Sequence, residues 1–148
     1  MPGPPDFAAR AEAALRRRGG RMTRSRRALL ALLGSMRRPL GARELHAELR
    51  RRGVSIDRVS VYRNVGALLD LGLVHRVLGS SALRPCGDEE PAGCHHAIVC
   101  RSCGAAREFG SPALERALKQ VRHRTGYRVE GHLLELRGLC PACSARRS

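Results

Sequence analysis

Apolar positions between Asp6 and Gly72 recur at helical spacing in four successive runs. The first, Asp6 to Arg18, is rich in Ala and Arg and is ended by Gly19-Gly20. Thr23 reads as the N-cap of a second helix, with Ala28, Leu29, Leu32, Leu33 and Met36 on one face, broken at Pro39 and Gly41. A third helix turns Ala42, Leu45 and Leu49 inward and Arg43, Glu44, Glu48 and Arg50 outward, and stops at Gly53. Ser55 or Asp57 caps a fourth, which runs to about Leu71. Val61, Val65, Leu68 and Gly72 form its apolar stripe, Arg63 projects almost opposite, and Ser60 and Asn64 sit on the flank. The period then falls to that of strands: Leu73–Leu78 and Ala82–Pro85 flank the turn Gly79-Ser80-Ser81.

Three helices and a β-hairpin in this order predict a winged helix-turn-helix, whose last helix lies in the major groove with its N-terminal residues at base edges. Tyr62 and Arg63 are the first candidates for DNA contact, with Arg58, Ser60 and Asn64 beside them. A helical bundle that merely packs is the competing reading; the polar flank of the fourth helix and the surplus of arginine weigh against it. Asp88 to Gly93 is acidic and then small, as a hinge would be. Beyond it, strands are expected at His96–Cys100 and Ala105–Phe109. A helix follows from near Pro112, with Leu114, Ala117, Leu118 and Val121 in phase, to Gly126, and then a longer strand over Tyr127–Arg137. The expected fold class is α+β: a winged-helix DNA-binding domain over 1–85, a hinge over 86–93, and a small α+β dimerisation and metal-binding domain over 94–148. The second domain is too small to bury much, so metal, a partner subunit or both should support it.

Charge sharpens this picture. Residues 1–80 carry 17 arginines against six acidic residues, +11, whereas residues 81–148 carry +4. A basic front half is the electrostatic footprint of a nucleic-acid binder. Of the 28 basic residues 27 are Arg, which a coding bias alone would also produce, so the asymmetry counts only together with the helical pattern. No run of 18 apolar residues exists, which argues against a membrane-spanning role, and Met1–Asp6 has none of the features of a signal peptide. A cytoplasmic location is expected, where the six cysteines would stay reduced.

Four of those cysteines form two pairs, Cys100-x-x-Cys103 and Cys140-x-x-Cys143, the spacing of a tetrahedral structural zinc site. Gly104 suits the tight turn after the first pair. Cys86 and Cys94 remain, with His75, His95, His96 and Glu108 near them in sequence. His75 lies on the first wing strand and Cys86 at the end of the second. A mixed set of thiolate, imidazole and carboxylate drawn from both domains is what a metal-controlled hinge requires, because binding would then couple to DNA affinity. His46 reads as a partly buried structural residue and His123 as solvated. His132 can join Glu115 and His96 in an extra site. A zinc hydrolase of the deaminase type is not expected: it needs an open coordination position and an H-x-E ahead of P-C-x-x-C, and this chain has neither. No enzymatic activity and no small-molecule substrate are predicted.

Arg58 to Val65, followed by Leu71-Gly72-Leu73-Val74, resembles the recognition helix of the ferric uptake regulator family. His95 to Gly104, Gly131-His132 and Gly138 to Cys143 are similar to its metal-binding segments, and the resemblance runs from about Met22 to Cys143. Within the family, Val74-His75-Arg76-Val77 with Cys86 resembles the zinc uptake regulator branch. That resemblance implies a regulatory zinc at His75, Cys86, a His before the cysteine knuckle and Glu108, with His95, His96 or Cys94 left open for one position. It further implies two zinc ions per chain, one structural and one regulatory, and a homodimer that binds a palindromic operator on double-stranded DNA and represses zinc-acquisition genes. The iron and peroxide branches place a His three residues before the knuckle, where this chain has Ala97. A regulator of the same family sensing iron, nickel or peroxide is the alternative.

Overall fold

The computed structural model describes residues 6–87, 96–129, 132 and 134–146. The chain divides into two units, Met1–Ala92 and Gly93–Ser148. The first contains α1 (Phe7–Arg17), α2 (Arg24–Ser35), β1 (Leu40–Gly41), α3 (Ala42–Arg51), α4 (Arg58–Asp70), β2 (Val74–Arg76) and β3 (Ala82–Pro85). This is a winged helix-turn-helix with an additional leading helix. Phe7, Leu29, Leu33, Leu45, Leu49 and Leu68 are fully buried and join the four helices in one core. At about 25 cal/mol per Å² of apolar surface, side chains of this kind contribute about 1.5–3 kcal/mol each.

Local signals explain the helix ends. Thr23 Oγ1 accepts from the Arg26 N–H at 3.2 Å, and Asp57 Oδ1 from the Ser60 N–H at 2.8 Å, so Asp57 rather than Ser55 is the cap of α4. At α3 the Glu44 carboxylate accepts the Gly41 N–H at 2.8 Å, one half of a capping box whose other half a glycine cannot supply.

The wing differs from its sequence reading in two ways. Leu40–Gly41, expected only as a helix break, forms β1 and pairs with β3 (Leu40↔Leu83), giving a three-stranded sheet in the order β1-β3-β2. A helix breaker and a short edge strand share one composition. The strand expected over Leu73–Leu78 is limited to Val74–Arg76, because the Val77 N–H already bonds the Ala82 carbonyl to close the turn through Gly79 (φ 72°).

The second unit contains β4 (His96–Cys100), β5 (Ala106–Phe109), α5 (Pro112–Thr125), β6 (Leu134–Gly138) and α6 (Pro141–Ala145). Its sheet has the order β5-β4-β6, with β5 antiparallel and β6 parallel to β4. A parallel neighbour needs a crossover, which α5 supplies. The strand expected over Tyr127–Arg137 is corrected: Tyr127–Val129 is not extended sheet, and β6 begins at Leu134. Gly126 (φ 70°) caps α5, and the residues after it are exposed with no ladder partner among the described residues. The short helix α6 was not anticipated. The expected hinge at 86–93 falls mostly outside the described residues.

Candidate metal centres and nucleic-acid interface

Parallel pairing of β4 with β6 sets Cys100 against Gly138, so the two Cys-x-x-Cys turns meet at one end of the sheet. The sulfurs of Cys100, Cys103, Cys140 and Cys143 lie within 4.8 Å of one another. Cys103 Sγ and Cys140 Sγ are 3.8 Å apart, the edge of a tetrahedron with metal–sulfur bonds of about 2.3 Å. The Cys140 N–H donates to Cys100 Sγ at 3.3 Å. That bond, with the Cys103 N–H, lowers the Cys100 thiol to about 6. The Ser102 hydroxyl pulls Cys143 down, but the three neighbouring sulfurs and burial outweigh it and raise this thiol to about 11. Without a cation, four thiols this close cannot all ionise; a divalent ion removes that conflict, and the donor set fits zinc.

A second cluster gathers His96, Glu115 and His132. His96 is 1% exposed, with its Nε2 2.7 Å from His132 Nε2 and 3.6 Å from Glu115 Oε1, and the imidazoles stack with centroids 5.0 Å apart. His96 Nδ1 is buried with no hydrogen-bond partner among the described residues. Two imidazole nitrogens and a carboxylate aimed at one point are a hard-to-borderline donor set. The register separates His96 from Glu108, contrary to the expectation that both serve one site. His96 pairs with Phe109, its ring 5.5 Å away, while Glu108 pairs with Ala97 and so points to the opposite face. Cys94 and His95 lie outside the described residues.

In the first unit His75 stands directly across from Arg84, and Cys86 continues that face because its N–H bonds the Leu73 carbonyl at 2.8 Å. The His75 ligand nitrogen and Cys86 Sγ are within 4.8 Å. Two neighbours of this pair escaped the sequence reading. Arg84 is 5% exposed, and Arg10 of α1 donates from Nη2 to the Cys86 carbonyl at 2.7 Å. The alternation of Arg84 and Cys86 was a signal for the first; nothing in the sequence marks the second, which spans 76 residues.

In the first two turns of α4 the exposed positions are Arg58, Val59, Tyr62 and Arg63, Tyr62 at 53%. They form one face free for a partner. Ser60 is used locally, its hydroxyl donating to Asp57 Oδ2 at 2.6 Å. Asn64, expected at the DNA face, is half-buried: its Oδ1 accepts from Arg26 Nε at 2.5 Å and its Nδ2 donates to the Ser60 carbonyl. His46 is held at 3.1 Å from the Ile56 carbonyl oxygen, and His123 is exposed.

The family model described as the ferric uptake regulator family matches residues 17–137. The zinc uptake regulation protein of Mycobacterium tuberculosis (strain ATCC 25618 / H37Rv) is 38% identical over 128 residues, covering 84% of this chain and 95% of that protein. The peroxide operon regulator of Bacillus subtilis (strain 168) is 31% identical over 136 residues, covering 90% and 91%. Among solved structures, a zinc uptake regulator complexed with zinc and DNA aligns with a TM-score of 0.82 at 26% identity, over 96% of this chain and 95% of that one. The crystal structure of holo XcZur aligns with a TM-score of 0.78 at 27% identity, over 95% and 98%.

Proposed function

Because the chain belongs to the ferric uptake regulator family, we propose that it is a zinc-responsive transcriptional repressor that binds a palindromic operator as a zinc-loaded homodimer and controls zinc-uptake genes. The observation that carries the metal assignment is the pairing of a cysteine, Cys86, with His75 on one face of the wing sheet. A thiolate favours zinc over the imidazole and carboxylate sites suited to iron or manganese. Glu108 and a residue of the segment before β4, with His95 and Cys94 remaining for that position, complete the proposed regulatory set. Cys100, Cys103, Cys140 and Cys143 hold the structural zinc; all four positions are filled by sulfur, which leaves no place for a catalytic water. His96, Glu115 and His132 are the donors of a third site, whose charge a bound cation would balance.

Homodimerisation is supported by what the second unit leaves uncovered. Helix α5 buries no residue, and Ile98, Leu136, Val121 and Tyr127 are exposed at 39%, 44%, 52% and 77%. An apolar surface of this kind on so small a unit needs a partner, and a second copy supplies one with the symmetry of a palindrome. Tyr62 and Arg63, with Arg58, meet the DNA. Among the described residues no helix is long and apolar enough to cross a membrane. The reduced cysteines of such a sensor suit the cytoplasm.

Native mass spectrometry of the full chain and of Cys86→Ser, before and after mild chelation, tests the metal assignment. Wild type should hold a chelator-labile zinc that the variant lacks, beside a zinc retained by both. Equal zinc content in the two proteins would overturn the sensor and leave the iron, nickel or peroxide reading, which the Bacillus relative keeps in view. Arg63→Ala should lose operator affinity with zinc content intact.

A further inference from the structure

The wing sheet has a second face, opposite the one that carries His75. Side chains alternate along β2, so Arg76 projects away from His75 and falls in one row with Leu83 and Leu40. Arg76 and Leu83 of that row floor a cleft of about 330 Å³, whose walls are the start of α3 and the flank of α4. Arg43, Glu44, Tyr62 and Ser81 line it beside Arg76 and Leu83. Ser81 sits close to the α3 start: a Cβ placed on Gly41 would be 3.4 Å from its hydroxyl oxygen.

The polar groups of this cleft are of one kind. Arg43 and Arg76 are both exposed, and neither makes an ion pair among the described residues. The only acid in the lining, Glu44, is occupied by the Gly41 N–H and, at 3.1 Å, by Arg38. Its carboxylate is thus already engaged, and the cation that balances it, Arg38, is not among the lining residues. Two guanidiniums and two hydroxyls remain, a donor set for a tetrahedral anion. The cleft adjoins Tyr62 on the exposed face of α4, where a duplex lying along that helix would bring its backbone.

We propose that this cleft holds one DNA backbone phosphate, clamped between Arg43 of α3 and Arg76 of the wing. The inference rests on the reading of α4 as the DNA-facing helix. It places on one strand a metal-site residue and a phosphate contact, His75 and Arg76, which share a peptide bond. A phosphate contact of this sort sets register and adds affinity without reading sequence.

The test uses the zinc-loaded full chain and two probes: a random-sequence duplex, and a duplex selected by the wild-type protein from a random pool. The slope of log Kobs against log salt is measured for wild type, Arg43→Gln, Arg76→Gln, the double variant and Arg43→Lys. Each Gln variant should reduce the slope by about one per protomer on both probes, with the selected bases unchanged. Because one phosphate is shared, the double variant should lose no more than a single one, and Arg43→Lys should restore the wild-type slope. Unchanged slopes in both single variants, or a double variant losing about two per protomer, would overturn the shared clamp. Wild-type protein that binds neither probe would instead overturn the DNA-binding reading, and the clamp with it. Zinc content and helical circular dichroism of each variant guard against a folding defect.

Discussion

Arg26 of α2 donates from Nε to Oδ1 of Asn64 on α4 at 2.5 Å, and the same guanidinium donates from Nη1 to the Arg21 carbonyl at 2.6 Å. One side chain therefore ties the exposed helix to the segment before α2. Asn64→Ala should destabilise the first unit by about 1 kcal/mol through the unpaired guanidinium. It should weaken DNA binding through misplacement of α4 while leaving base preference unchanged. A changed preference in a selection from random duplexes would return Asn64 to the DNA face.

The bond from Arg10 to the Cys86 carbonyl fixes the strand end on which the proposed sensor sulfur sits. Arg10→Met keeps the length of the side chain and loses the donor. Its labile zinc should bind several-fold more weakly in competition with a chromophoric chelator, while the knuckle zinc stays put. Equal competition curves would show that α1 only packs.

Zinc loading of the knuckle displaces protons from its thiols, and the displaced number reports how they are poised. Cys100, lowered to about 6, is already ionised at neutral pH, whereas Cys143, raised to about 11, is not. Calorimetry of metal-free Cys86→Ser in buffers of differing ionisation enthalpy should therefore count fewer than four protons per knuckle zinc at pH 7. As pH falls through 6 the count should rise as Cys100 regains its proton. A count of four at pH 7 would contradict the poise of Cys100.

Asp57 caps α4, and the Ser60 hydroxyl and N–H hold its carboxyl below the ordinary value of 3.8. A folded-state value below the unfolded one means the cap stabilises fully above about pH 4 and fades as pH falls through the lower, folded value. The melting temperature of Asp57→Ala should accordingly lie below wild type at neutral pH by a constant margin that narrows only under acid. A margin unchanged at the lowest pH would assign it to the neutral side chain.

Elements with long periodic faces were legible in the sequence. Leu29, Leu33, Leu45, Leu49, Val61 and Leu68 form a core from the positions their spacing indicates. The two Cys-x-x-Cys turns were equally legible, because spacing alone brings both sulfurs of a pair to one ion. Less was readable where one residue decides a face. His96 and Glu108 are near in sequence, yet their strand register turns them to opposite sides, and register is a tertiary property. Asn64 has the composition of a DNA contact, but a partner 38 residues away occupies it. Tyr127–Val129 carries β-forming residues with no strand to pair with among those described.

The knuckle joins sulfurs on either side of a 36-residue span, and this orders events during synthesis. At about 5–20 residues per second, a ribosome makes Cys103 roughly two to seven seconds before it makes Cys140. Throughout that interval the first pair is present on the nascent chain without its partners, and the Cys140 N–H that poises Cys100 in the finished knuckle is not yet there. A cell under oxidant stress would mark new chains in that window before they ever mature. Chains completed earlier, with the metal in place, would be spared.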